Sequence, residues 1–220
     1  MSEDIFVVGA GGFGREVVDI IEAINDAAAE PIWALRGVVD DAPSAENLQR
    51  LTDRSIEYLG TISDTLAAPA RPAFIVGVGS PAARESLAST LEAHGFRAAT
   101  LVHPTVTMGS QVTLGPGSVV CAGVRITTNV VIGNHVHVNL NATIGHDSFL
   151  GDCVSVNPLA SISGDCVVME RALLGVSASV INGVTVGVGS VVGGGACVVR
   201  DVPAAATVVG VPAKPLLKRS

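Results

Sequence analysis

Aromatic residues are almost absent from this chain: five Phe, one Tyr and one Trp in 220 residues. A conventional mixed core is thereby excluded, and Val, Ile, Leu and Ala must fill the interior of a sequence that is 48% apolar. Basic runs are missing as well. With a formal charge of −7, nucleic acid is excluded as a main partner. No stretch of eighteen apolar residues runs without a polar break, so no membrane insertion is expected. The opening residues, MSEDIFVVGAGG, start acidic and lack a basic n-region, which argues against a signal peptide. Cys121, Cys153, Cys166 and Cys197 show no CxxC spacing and read as small apolar fillers in a reducing cytoplasm. Glycine is plentiful at 25 residues, and tight turns must be frequent.

Two grammars divide the chain. Residues 1–102 alternate strand and helix signals. DIFVVGAGGFGREVVDIIEAIND is an apolar run, a glycine turn and a helical pattern whose face is Val17, Val18, Ile20, Ile21 and Ile24. IWALRGVVDD and PAFIVGVGSP read as further strands. PAARESLASTLEAHGF reads as a helix closed by His94 and Gly95, and RAATLV as a fourth strand. The pattern predicts a small parallel α/β domain.

From Val106 the period becomes six. Sixteen hexads, VTMGSQ to ACVVRD, run through residues 106–201 without an insertion. Their third residue is always Leu, Ile, Val or Met, and their first always Val, Ala, Ser or Cys. First and third residues of a short strand share a side. Gly or Asn is frequent at position four, where the corner is expected. Three hexads then close one triangular coil of a parallel β-helix. Each stacked third-position side chain contributes about 1.5–3 kcal/mol before entropy is subtracted. Period six cannot hold one face of a 3.6-residue helix, and such strands are too short for a membrane barrel. Met169-Glu170 and Asn157-Pro158 depart from the pattern, and local bulges are expected there.

This run of hexads resembles the hexapeptide-repeat acyltransferases. That resemblance implies a left-handed β-helix and active sites between the coils of a trimer. VVGAGGFGREVVDII, VVDDAP, FIVGVGSP and LVHPTV narrow it to the sugar acetyltransferases grouped with sialic acid O-acetyltransferase and UDP-4-amino-sugar N-acetyltransferase. The expected organisation is a Rossmann-like nucleotide-sugar-binding domain over 1–102 and a left-handed β-helix acetyltransferase domain with a C-terminal cap over 103–220.

Gly9, Gly11, Gly12 and Gly14 form a glycine loop between a strand and a helix, where free N–H groups face a phosphate. A full dinucleotide fold needs two such halves, and only about a hundred residues are available, so NAD is set aside. The resemblance implies that this loop takes the nucleotide sugar, that Asp40 and Asp41 face its base or ribose, and that Gly77 and Gly79 let the base approach. The rival readings are chain reversal for the glycines and a solvated turn for the aspartates.

ATIGHD places His146 beside Asp147. Acetyl transfer needs a base, and an imidazole, with an ordinary pKa near 6.5, suits that task at neutral pH. A carboxylate can orient such a ring. The resemblance implies His146 as general base, Asp147 as its partner, Asn139 as a nearby polar residue and Gly164, one coil on, as a backbone donor to the thioester carbonyl. It also implies that Gly194 and the GVPAKP segment, with Gly210, Pro212 and Lys214, hold coenzyme A. Ser155 stands where some relatives place a second histidine, so one is expected here. His135 and His137, spaced HxH, are expected to be solvated or at an interface rather than metal ligands. His103-Pro104 is expected to be structural.

The expected function is acetyl-CoA-dependent N-acetylation of a nucleotide-linked amino sugar. Acetyl-CoA is the co-substrate, no metal takes part, and a homotrimer is the assembly. O-acetylation of a sugar such as sialic acid is the alternative, and a non-catalytic sugar-binding trimer the third reading.

Overall fold

Ile5, Phe6, Val7 and Val8 are buried in succession, as in a parallel strand covered on both faces. They form β1 (Glu3–Val8), the centre of a three-stranded parallel sheet. The computed structural model describes residues 2–216 and separates into two units, Met1–Pro104 and Thr105–Ser220. In the first unit β1 is followed by α1 (Gly12–Ala27), β2 (Trp33–Val39), α2 (Ala45–Asp53), α3 (Ile62–Ala67), β3 (Ala73–Val76) and α4 (Pro81–Ala93). The sheet order is β2-β1-β3. Val17, Val18, Ile20 and Ile21 give α1 its buried face, as the helical spacing predicts. α4 ends at His94, with Gly95 at φ +82°. The fourth strand expected from RAATLV does not join this sheet as a strand. Ala98 makes one isolated bridge to Phe74, and the strand proper is only Leu101–Val102.

In the second unit every hexad contributes a two-residue strand from its second and third positions. Three parallel sheets result, with strands paired eighteen residues apart. One carries His137–Val138, Ser155–Val156 and Leu173–Leu174, the next Arg125–Ile126, Thr143–Ile144 and Ser161–Ile162, and the third Val131–Ile132, Phe149–Leu150 and Val167–Val168. Third-position residues from Val120 to Val198 are buried, as are first-position residues from Ser118 to Ala196. This is the expected β-helix, of the left-handed hexapeptide-repeat type. Its last coil is shorter: Thr207 pairs with Val191, sixteen residues back. Thr207–Val209 then pairs antiparallel with Lys214–Pro215.

Two local expectations are corrected. The coils do not bulge at Met169-Glu170 or Asn157-Pro158, for Val167–Val168 and Ser155–Val156 keep their register with the next coil. The corner is not at position four either. The left-handed residue is the sixth of every hexad but the last, for example Asn129 at φ 57°, Asp147 at 59° and Asp165 at 58°. Glycine at position four answers a different need. A Cβ on Gly133 would lie 2.9 Å from the Gly151 backbone, so coils stack too closely there for a side chain.

Candidate active site

His146 and Asp147 sit on the edge where the chain leaves Thr143–Ile144 for Phe149–Leu150. Neighbours on a strand point apart, but the left-handed turn at Asp147 brings the two side chains together. His146 Nδ1 lies 2.6 Å from Asp147 Oδ2, and Asn129 Nδ2 donates to Asp147 Oδ1 at 2.6 Å. An ionised carboxylate only accepts, so Nδ1 carries the proton. Nε2 is left with a lone pair. About half of each side chain is exposed. The Asn129 hydrogen bond, then the one from His146, hold the Asp147 carboxyl below its ordinary value of 3.8.

Gly164 lies one coil beyond His146, against its ring. A Cβ built at Gly164 would fall 2.5 Å from the ring's Cε1 and Nε2. The Gly164 N–H has no hydrogen-bond partner among the described residues. The edge therefore presents a lone pair on Nε2 next to a free backbone donor, the two elements that proton removal and carbonyl polarisation require.

Asp147 titrates only in acid. A depressed folded-state pKa gives stability that is present above the unfolded value and lost as pH falls through the folded one. The carboxylate is thus charged throughout the neutral range. Asp147→Asn is expected to keep the left-handed corner, which Asn tolerates, and to lower kcat by roughly 10²-fold. Steady-state rates beside a thermal melt check this; an unchanged kcat would remove Asp147 from the mechanism.

The other residues expected at the centre stand elsewhere on this chain. Asn139 follows His137–Val138 on a different sheet and is 8% exposed, and its amide donates to Val156 O at 3.1 Å. Gly194, exposed, lies on the edge between Val191–Val192 and Cys197–Val198. Gly210 accepts from Cys197 N and Ala213 donates to Cys197 O, which lays the GVPAKP segment along that strand, with Pro212 and Lys214 exposed. One chain therefore groups His146, Asp147 and Gly164 on one edge and Asn139 and Gly194 along another. His135 and His137 are 5% and 1% exposed, which corrects the expectation of solvated rings. Ser155 is buried beside His137 in the same sheet.

In the first unit the glycine loop separates into two kinds of position. Gly14 and Gly77 are glycine because of packing: a Cβ at Gly14 would sit 1.8 Å from Gly9 O, and one at Gly77 2.6 Å from Gly14 Cα. Gly9 takes φ +108°. Gly11, Gly12 and Gly79 face open space within 4 Å. Asp40 braces the loop, accepting from Ala10 N at 2.8 Å and Ala42 N at 2.9 Å, and Asp41 accepts from Ile62 N at 2.8 Å. Both carboxylates line a cavity of about 210 Å³ walled by Val8, Val78, Ile62 and Leu87. A larger cleft, about 380 Å³, opens at Gly12, lined by Arg15, Arg50 and Arg54 together with Glu16, Asp19 and Asp53.

Known proteins combine these two parts in the same order. The family described as PglD N-terminal domain matches residues 4–91. GDP-perosamine N-acetyltransferase of Escherichia coli O157:H7 is 30% identical, over 97% of this chain and 96% of its own. The chain belongs to the sugar N-acetyltransferase family. Among solved structures, a histidine-to-asparagine mutant of perosamine N-acetyltransferase from Caulobacter crescentus, in complex with CoA and GDP-perosamine, superposes with a TM-score of 0.86. It is 29% identical, over 98% of this chain and 97% of that one. The acetyltransferase domain of PglB from Neisseria gonorrhoeae FA1090, in complex with acetyl coenzyme A, gives 0.82 at 28% identity, over 98% and 100%.

Within this family member three residues join the sites unannounced by motif. Arg15 follows the last loop glycine and donates to Ala10 O at 2.9 Å and Asn47 Oδ1 at 2.7 Å. Asn129 holds Asp147. Asp165 completes a set with His146 and Asp147 in which one ligand atom from each lies within 4.8 Å of the others. Nδ1 and each oxygen of Asp147 already have a hydrogen bond, which leaves Nε2 and Asp165 as the uncommitted members of this set. For Asn129 and Asp165 the available signal was the eighteen-residue coil: they stand one coil before and one after Asp147.

Proposed function

We propose that this chain transfers the acetyl group of acetyl-CoA to the amine of a GDP-linked amino sugar, GDP-perosamine or a close analogue. The observation that carries the reading is the His146–Asp147 pair, with its Nε2 lone pair beside the Gly164 N–H. The likeness to enzymes that act on or bind GDP-perosamine supports the choice of acceptor. The amine nitrogen attacks the thioester carbonyl carbon, and its C–N bond forms as charge builds on the oxygen. Gly164 N–H stabilises that oxygen. His146 Nε2 accepts the amine proton, Asp147 holds the resulting imidazolium, and the C–S bond breaks to release the thiolate, which takes the proton back.

Nucleotide binding falls to Gly9, Gly11, Gly12 and Gly14 with Asp40, Asp41, Gly77 and Gly79. In this reading Asp40 acts through the loop it braces. Gly194, Gly210, Pro212 and Lys214 are assigned to coenzyme A, with Lys214 as a point charge for phosphate. The assembly is a homotrimer, working in the cytoplasm. Its neighbouring copy would bring the Asn139 edge to the His146 edge. Exposed Leu140, Leu159 and Val176 on the Asn139 edge, and Val131 and Phe149 on the third sheet, favour such packing. No helix among the described residues is long and apolar enough to cross a membrane.

Thiol release from acetyl-CoA against GDP-, UDP- and dTDP-linked amino sugars, with free sialic acid as a control, tests the reading, alongside light scattering of the 22.2 kDa chain. Turnover of a GDP-linked amino sugar by a trimer is expected. Turnover of sialic acid alone would make the enzyme an O-acetyltransferase, and a stable monomer with full activity would remove the shared site.

A further inference from the structure

We infer that Asp165 is a specificity-determining residue that draws the acceptor's amine to His146 in its ammonium form. This rests on the reaction proposed above. Asp165 is fixed by backbone to the base itself, since its N–H donates to His146 O at 2.8 Å. Gly164, the residue before it, packs against the His146 ring. The Asp165 side chain therefore springs from the same coil as Gly164, one residue past the imidazole and above Asp147, and one of its carboxylate oxygens comes within 4.8 Å of one ligand atom each of His146 and Asp147.

The two carboxylates beside the base are not equivalent. Asp147 has one oxygen held by Asn129 and the other by His146. Asp165 accepts no side-chain or backbone hydrogen bond among the described residues, and it is exposed. It is a free negative charge at the mouth of the site, and orienting the ring does not require it. An aliphatic amine near neutral pH is largely ammonium, whereas a sugar hydroxyl is neutral. A free carboxylate within 4.8 Å of a His146 ring nitrogen favours the first over the second. Once the ammonium reaches His146, Nε2 takes its first proton and passes it to solvent; the neutral amine then attacks and gives its second proton to Nε2 as in the reaction proposed above. A fixed carboxylate at this distance acts on the charged acceptor through a mostly aqueous medium, so the effect is modest and salt-sensitive.

Asp165→Asn preserves side-chain size and suits the left-handed backbone at φ 58°. The variant is expected to raise KM for the GDP-linked amino sugar by about 5-fold at low salt, with a smaller rise at high salt. Its KM for acetyl-CoA and its kcat at saturation stay near the wild-type values. The decisive readout is Ki for the GDP-linked sugar bearing a hydroxyl in place of the amine. That neutral competitor should bind wild type and variant equally, and Asp165→Glu should restore most of the amine's KM. Equal rises in KM and Ki would mean that Asp165 merely shapes the edge, and an unchanged KM would mean that it does nothing for the acceptor; either result overturns the inference. Wild-type enzyme that acetylates no amine would overturn the proposed reaction instead, and Asp165's role with it.

Discussion

Replacing His146 with alanine is expected to lower kcat for acetyl transfer by about 10²–10⁴-fold while the protein melts as wild type does. The two halves of this expectation come from one fact. His146 projects from an edge with half its side chain exposed, so the core loses nothing when it goes and coil stacking loses only the ring's contact with Gly164. Position five is not the left-handed residue of its hexad, so alanine meets no backbone strain there. What disappears is the Nε2 lone pair. The attacking amine must shed a proton, and Asp147, still held below its ordinary pKa by Asn129, is too weak a base to take it. Binding of acetyl-CoA and of the nucleotide should be nearly untouched, so the loss is in kcat rather than KM. Single-turnover thiol release with a thermal melt of the same sample makes the measurement. A variant within threefold of wild type would mean that the proton leaves by another route, with Asp165 the nearest free carboxylate.

The β-helix was legible because its signal repeats. Third-position Leu, Ile and Val face the interior in every coil, and a period of six leaves no other regular structure. The first coil shows the limit of that rule. Met108 is 43% exposed, because its strand ends its sheet and has a partner on one side only. The corner was misplaced for a physical reason as well. Glycine at position four looks like a turn signal, but it reports the close approach of the next coil, which a linear pattern does not display. The true corner, position six, accepts Asn, Asp, Ser, Cys and even Leu159 at φ 62°, so composition does not mark it. In the first unit, the capping signals Ser44 to Asn47 and Thr61 to Asp64 were on view, yet α2 and α3 are too short for hydrophobic period to announce them.

The site was legible by halves. His146 beside Asp147 is a local pair, and Gly164 follows from the coil length. The division of Asn139 and Gly194 from His146 depends on which edge of the prism each occupies, and that became plain only when hexads were assigned to sheets. Asp40 shows the reverse case. The acidic pair after β2 reads as a ligand contact, but Asp40 already accepts two backbone N–H groups, and that brace is written nowhere in its own neighbourhood.

The glycine loop yields the second large effect, because its glycines answer to different forces. Gly14→Ala is expected to destabilise the N-terminal unit by about 3 kcal/mol or more, a drop of more than roughly 10 °C in its melting temperature. The new methyl would stand 1.8 Å from Gly9 O, a backbone atom at the end of β1 that has no rotamer to change. Relief requires α1 to move away from the strand that buries its face. Gly12→Ala should do the opposite. Its Cβ meets nothing within 4 Å, and alanine in the first turn of α1 gains about 0.5–1 kcal/mol over glycine. That methyl would nevertheless intrude on the N–H groups at the start of α1, beside the cleft that Arg15, Arg50 and Arg54 share with Glu16, Asp19 and Asp53. A protein at least as stable as wild type, with KM for the nucleotide sugar raised about tenfold, is therefore the expected outcome if this loop cradles the diphosphate. An unchanged KM would leave the loop to packing and backbone conformation, with Gly9 and Gly14 its essential glycines, and the diphosphate would have to lie elsewhere.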